Sequence, residues 1–322
     1  NTYEALTAPQ TVAAGKPFVK VELGGGTFYF RPQNNVVLEA GNRYKYIVKV
    51  NATGLTLEDC TIGSWADGGG ESGAAEDLDY IYDSNTKTYT VYNADGLLAW
   101  NEAAQKDGSI NCTLNADIDL TGKDWTPIGT SSGNSYTGTF DGGGHTITGL
   151  TVTGSNEYAG LFGRIGSGGT VKNVVLEGVQ ITSDNSLGYA GGIAGWSFKG
   201  KIENSSVSGS VSGNSIAGAV VGTQLGGAIT GCSSSATVKG VTFAGGIAGE
   251  TNSGASLTAC YATGDVTVEN DGTSNALAGG VVGYNGGSST LTACYAAGNV
   301  SGKGSGTIHV GGAVGKNYGT LT

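Results

Sequence analysis

Cys232, Cys260 and Cys294 lie 28 and 34 residues apart, each three residues after an apolar residue: Ile229, Leu257 and Leu291. Three thiols in one repeated slot would suit a soft-metal ladder or disulfides. Upstream, however, the same slot holds Leu150, Val174 and Ser205. It therefore accepts small to medium, mostly apolar groups, and the cysteines read as packed core, where a free thiol behaves as a small hydrophobe. Stacked strands about 4.8 Å apart would tolerate a disulfide, but parallel stacking aims both side chains the same way. Cys60 and Cys112 have no mates, and an odd total of five cysteines gives no disulfide framework.

The remaining reactive groups are sparse. His145 and His309 stand 164 residues apart and no HExxH occurs, so zinc hydrolysis has no ligand set. Asp117 and Asp119 in "NADIDL" could begin a calcium site, but alternating with inward apolar residues they read as a solvated strand face. A polysaccharide lyase needs a Lys or Arg base facing carboxylates, and a hydrolase needs paired Asp or Glu. From Val171 onward the outward strand positions are mostly Thr, Ser, Asn, Ala and Gly, with Lys172, Lys201, Glu203 and Asp265 scattered among them. No catalytic residue, metal site or cofactor is assigned, and the chain is read as a non-enzyme.

The totals narrow the partners. A net charge of -10 with three arginines (Arg31, Arg43 and Arg164) excludes a basic patch able to neutralise a phosphate backbone, so nucleic acid is not a partner. No stretch approaches the roughly 20 apolar residues of a membrane span, and no charged-then-apolar leader opens the chain at Asn1. Methionine is absent, which fits a trimmed chain. Sixty glycines with only four prolines and no strict every-third glycine exclude collagen and argue against low-complexity disorder.

What positions these residues is a repeat. The pattern x-small-small-apolar-x-Gly recurs as "YAGLFG" from 158, "AGGIAG" from 190, "AGAVVG" from 217, "AGGIAG" from 244, "AGGVVG" from 278 and "VGGAVG" from 310. Its apolar slot holds Leu161, Ile193, Val220, Ile247, Val281 and Ala313; a second ladder runs Val171, Ile202, Ile229, Leu257 and Leu291; a third runs Val211, Val238, Val266 and Val300. Three ladders at fixed offsets predict a coil of three short strands stacked on its neighbours, a parallel β-helix, right-handed by the general crossover preference. Glycine is expected at the corner because positive φ and close backbone approach both exclude a Cβ. "PIG" at 127–129 reads as an earlier corner, and "CTLNADIDL" as one strand with Cys112, Leu114, Ala116, Ile118 and Leu120 inward. Residues 94–106 predict a helix capped by Asn93 or Asp95, with Leu97, Leu98, Trp100 and Ala104 on one side, covering the first coil.

The ordered motifs "WTPIG", "GTFDGGGHTITGL" and "YAGLFGRI" resemble the GLUG-motif proteins, secreted and surface-attached bacterial proteins that include parts of IgA-specific metallopeptidases and many adhesin-like chains. The likeness covers about 94–322 and implies a scaffold; without HExxH, peptidase activity is not carried over. Upstream, "PFVKVEL", "RYKYIVKV" and "GLTLEDCTI" alternate as antiparallel strands, with Val19, Val21, Leu23, Tyr44, Tyr46, Val48, Val50, Leu55 and Leu57 on one side. The order "APQTV", "LEAGNRYKYIVKVNATGL", "IGSWADGG" resembles the later part of a fimbrillin-like domain, implying strands lost upstream or a reduced copy. The expected organisation is a fimbrillin-like partial β-sandwich over 1–65, an acidic glycine-rich linker over 66–78, and a β-helix over 79–322, all-β throughout apart from the capping helix. "YGTLT" leaves the last coil half built, so the chain is expected to continue or to be covered by another chain.

Coil length varies at one edge, where "SDNSLGY" (183–189), "ENDGTSN" (269–275) and "SGKGSGTIH" (301–309) are inserted. Insertions in solenoids collect on the side that stacking leaves free. Asp184, Asn185, Asn270, Asp271 and Asn275 are the expected ligand contacts there, although tolerated surface loops explain the same pattern. The resemblance implies a secreted protein at a bacterial cell surface or outer membrane, an adhesin or fimbria-associated subunit whose partners are a host glycan, a matrix protein or other fimbrial subunits. A carbohydrate-active enzyme and a passive stalk are the alternatives.

Overall fold

The structure, a computed structural model, describes residues 10–322 apart from 24–25, 33, 39–41, 52–53, 65–69, 72–78, 271 and 273–274. It divides into two compact units, Asn1–Asp79 and Tyr80–Thr322.

The first unit is built from antiparallel pairs: Gln10–Val12 with Val36–Leu38, Val19–Leu23 with Gly26–Phe30, and Asn42–Asn51 with Gly54–Ser64. A bulge at Glu58 keeps Val50, Val48, Tyr46 and Tyr44 opposite Leu55, Leu57, Cys60 and Ile62. The strand therefore holds its apolar set across an extra residue. Which way those side chains face lies outside the described residues, as does most of 66–78; within that segment Gly70–Glu71 pair with Gly54–Ser64.

The second unit is a parallel β-solenoid of about seven turns. Its strands form four walls rather than the three expected. Wall A is a ten-stranded sheet that opens on the antiparallel pair Tyr80–Asp83 and Thr88–Val91 and then runs parallel from Asn111–Leu114 to Thr320–Leu321. Wall B is eleven-stranded, and walls C and D have six strands each, from Tyr158–Ala159 and Phe162–Ile165 to Ile308–Gly311 and Val314–Asn317. The three apolar ladders mark the C–D corner, wall A and the later half of wall B, each in register from turn to turn. Leu161, Ile193, Val220, Ile247 and Val281 are fully buried. The Ile193 N–H donates to Val220 O at 3.0 Å, Val220 to Ile247 at 3.0 Å and Ile247 to Val281 at 2.8 Å. Ala313, in the final turn, is exposed.

Two further expectations are corrected. The repeat glycines do not use positive φ: none from Gly160 to Gly163, or in the later copies, has it. Space excludes a side chain at nearly all of them, Gly312 of the last copy excepted: a Cβ on Gly195 would lie 2.7 Å from Tyr189 O and 2.9 Å from Ala159 N. "CTLNADIDL" is likewise not one strand. It turns a corner between Asn111–Leu114 in wall A and Ile118–Asp119 in wall B, which leaves Ala116 half-buried while Cys112, Leu114, Ile118 and Leu120 stay inside.

The helix, Ala94–Lys106, forms where the sequence predicts it, with Asn93 Oδ1 accepting the Gly96 N–H at 3.0 Å. Leu97, Trp100 and Ala104 are buried and Leu98 is half-buried. Trp100 enters the interior and packs on Phe140, Tyr136 and Phe162 at centroid distances of 4.9, 5.9 and 6.1 Å. An aromatic plug so formed excludes water from the first turns. Ile128 of "PIG" is fully buried and bridges to Phe162, as a corner residue should be.

Candidate functional site

The walls C and D meet at a bend so tight that their outward side chains touch across it. On wall C the outward row is Tyr158, Tyr189, Ile216, Phe243, Leu277 and His309. Facing it on wall D are Arg164, Trp196, Thr223, Glu250, Tyr284 and Lys316. The two rows flank each copy of the glycine pattern, and the glycines between them make the contact possible: a Cβ on Gly249 would stand 2.5 Å from Ile216 Cγ2.

At one end these residues form a four-membered cluster. Tyr158 and Tyr189 stack at 5.4 Å and 16°, and Trp196 sits edge-on to them at 6.0 and 5.1 Å. The Arg164 guanidinium carbon lies 4.7 Å from the Tyr158 ring centre and 5.3 Å from that of Trp196. Such cation–π contacts contribute about 0.5–2 kcal/mol. Arg164 Nε is buried with no hydrogen-bond partner, a state that costs roughly 1–3 kcal/mol. Burial and a hydrogen bond with Glu157 push the Tyr158 hydroxyl up to about 12. Further along, Phe243 stacks on Tyr284 at 5.3 Å. Glu250, the register partner of Tyr284 on wall D, is pushed up by burial, although it accepts from Asn252 and Thr223.

The loop edge is organised differently. Asn185 Oδ1 accepts the Leu187 N–H at 3.0 Å and its Nδ2 donates to Ser155 O at 3.2 Å. Asn270 is buried, with Oδ1 accepting the Gly272 N–H at 2.8 Å. Both amides thus close their own turns, and Asn270 presents no free surface. Asp184 and Asn275 are exposed; Asp271 lies outside the described residues. Two minimal turns, at Gly213–Ser215 and Gly240–Thr242, separate Asp184 and Asn185 from Asn270 and Asn275, so these four described residues do not form one cluster.

A second polar group occupies the A–B corner. Asp141, Lys172 and Glu203 fall in one ladder, with Lys172 Nζ 3.1 Å from Asp141 Oδ2. A shallow cavity of about 380 Å³ beside them is lined by Asp141, Gly143, Gly144, Asn173, Val175 and Asn204. Burial raises the Asp141 carboxyl, but Asn173, the Gly143 N–H and Lys172 outweigh it and hold the group below its ordinary value. Asp117 and Asp119 are exposed, the first accepting from Thr146 N and lying 3.3 Å from His145, the second accepting from Thr121 N. Among the described residues no three His, Cys, Asp or Glu side chains converge as a metal site. Cys112, Cys232, Cys260 and Cys294 are free thiols, the first three buried. Cys232, Cys260 and Cys294 donate to backbone carbonyls, Cys260 to Thr258 O at 3.3 Å.

The sequence analysis does not single out the ring-lined bend, although its signal is plain: Tyr189 and Trp196 at the two ends of "YAGGIAGW" meet, and Phe243, which opens "FAGGIAGE", stacks on Tyr284, which closes "LAGGVVGY".

Comparison with known proteins agrees with this architecture. Residues 1–65 match the fimbrillin-like family model and residues 186–212 match the GLUG motif. Halomucin of Haloquadratum walsbyi is 33% identical over 142 residues, 40% of this chain. A protein of Evansella cellulosilytica named as a glycine-rich membrane protein is 38% identical over 95 residues, 27% of this chain. The matched segments span 2% and 11% of those two relatives. Among solved structures, an immunoglobulin A1 protease candidate from Bacteroides ovatus superposes with a TM-score of 0.59 at 23% identity, covering 73% of this chain and 77% of its own. An IgA1 protease gives 0.51 at 15% identity, covering 97% of this chain and 28% of its own. At these identities the likeness is one of fold. No helix among the described residues is long and apolar enough to cross a membrane.

Proposed function

We propose that the chain is an adhesin, fimbrial or fimbria-associated, that takes a saccharide on the bend between walls C and D. Surface association of this β-helix protein is supported by the fimbrillin-like and GLUG matches and by the related proteins' names. A single observation carries the saccharide. The rings of Tyr158, Tyr189, Trp196, Phe243 and Tyr284 gather on one outer bend of a surface otherwise rich in hydroxyls and amides. Apolar faces interleaved with a few placed polar groups are the usual make-up of a specific binding surface.

A glycan array probed with the whole chain tests this. Trp196→Ala is expected to weaken binding about tenfold, the loss of one central aromatic anchor. Shortening the loops at 183–188 and 271–275 is expected to leave binding unchanged. The opposite pattern would move the site to the loop edge.

A carbohydrate-active enzyme is the second reading, favoured by the Asp141–Lys172–Glu203 ladder beside its cavity. The low-lying, ion-paired Asp141 carboxyl is a poor proton donor near neutrality, which disfavours it as the general acid of a hydrolase. Release of new reducing or unsaturated ends from acidic polysaccharides, abolished by Asp141→Asn, would reverse that preference.

A further inference from the structure

The strip has direction and charge as well as rings. Its rows repeat at the strand spacing of about 4.8 Å, close to the length of one pyranose in an extended chain. A linear polysaccharide lying along the solenoid axis would therefore set successive sugars on successive rows. Charge along the strip is uneven. Arg164 is the sole arginine of the solenoid. Among the described residues, Lys87, Lys123, Lys172, Lys239 and Lys303 each meet a carboxylate, Lys199 and Lys316 rest on the rings of Phe198 and Tyr318, and the Arg164 side chain makes no ion pair and leaves its buried Nε without a hydrogen-bond partner. The Tyr158 and Trp196 rings hold its guanidinium carbon and leave the terminal N–H groups as donors for a planar acceptor. A guanidinium so placed takes a carboxylate through two parallel bonds. The nearest acids do not compete: Glu157 is engaged with the Tyr158 hydroxyl, and Glu250, three rows away, is buried against Thr223 and Asn252.

We infer that Arg164 forms a carboxylate subsite at one end of the bend, so that the ligand is an extended acidic polysaccharide running parallel to the solenoid axis. This rests on the reading of the bend as a saccharide surface, and the test separates the two. The whole chain is titrated calorimetrically with polygalacturonate and with the same polymer methyl-esterified, which keeps the sugar and masks the charge. The wild type is expected to bind the acid form about tenfold more tightly. Arg164→Gln should remove that preference while sparing the esterified polymer, Arg164→Lys should restore part of it, and Trp196→Ala should weaken both polymers. Because the esterified polymer is a change on the ligand side, a variant that fails to fold does not remove the test. Equal wild-type affinities, or an acid preference that survives in Arg164→Gln, overturn the subsite and leave the saccharide surface standing. Binding of a sialylated oligosaccharide but of neither polymer overturns the axial chain. Binding of no saccharide at all overturns both readings.

Discussion

Two corners of the solenoid turn the chain by different means. At the C–D corner the walls press together, and the limit is space: a Cβ on Gly222 would lie 2.5 Å from Gly195 O, and one on Gly195 2.7 Å from Tyr189 O. At the A–B corner there is room, and the limit is the dihedral angle. Asn173, Asn204, Gly231, Ala259 and Ala293 sit there at φ of 54°, 47°, 63°, 53° and 52°. A corner short of space admits one residue type, so it writes a visible pattern. A corner that needs left-handed backbone admits several at a modest cost, so it does not.

The same methyl group should cost more at the tight corner than at the open one. Gly195→Ala pushes a Cβ against backbone that neighbouring turns hold fixed, and is expected to cost about 3 kcal/mol, the upper end for overpacking. Gly231→Ala, where the contact is the movable Asn204 side chain at 2.7 Å and φ is positive, should cost about 1 kcal/mol. Ala259→Gly removes a methyl from a left-handed residue and should stabilise by about 0.5 kcal/mol, after the entropy that glycine adds to the unfolded chain. Urea midpoints of the three variants check the order. Equal costs for Gly195→Ala and Gly231→Ala would erase the distinction between space and dihedral.

The difference also explains what could be read from the sequence. The ladders of Ile193 and Ile202 were legible because large apolar side chains at a fixed offset have one explanation, a shared dry interior. The fourth wall was not. Its inward row on wall C is Ala159, Ala190, Ala217, Ala244 and Ala278, too small to register as a core. On wall D the inward row is Ser197, Gln224, Thr251 and Asn285, polar residues that read as surface in a sequence although all four are buried. Thr251 Oγ1 donates to Asn285 Oδ1 at 2.7 Å, and Asn285 Nδ2 to Asn317 Oδ1 at 2.6 Å, inside the solenoid. Tyr189 and Trp196 are seven residues apart and meet only because glycine lets the bend close. Asn185 and Asn270 looked like free contacts because a sequence does not say that an amide will close its own turn.

The tight and open corners should finally differ in how stability follows pH. At the tight bend, burial raises Glu250 above its ordinary 4.5. The folded state then holds the proton more firmly than the unfolded one, so stability is greatest below about pH 4.5 and declines as pH rises toward the folded-state value. Glu250→Gln removes that penalty. It should be more stable than the wild type at pH 7 and indistinguishable from it at pH 4. At the open corner Asp141 lies below its ordinary 3.8 despite partial burial, because Asn173, the Gly143 N–H and Lys172 favour the ionised form. Its contribution is present above pH 3.8 and fades as pH falls through the lower folded-state value. Asp141→Asn should therefore cost about 0.3 kcal/mol at pH 7, the scale of a partly solvated pair, with the difference closing in strong acid. Melting temperatures of both variants from pH 3 to 8 give two curves of opposite sign. Curves of the same sign would mean that wall D is as open to water as wall A.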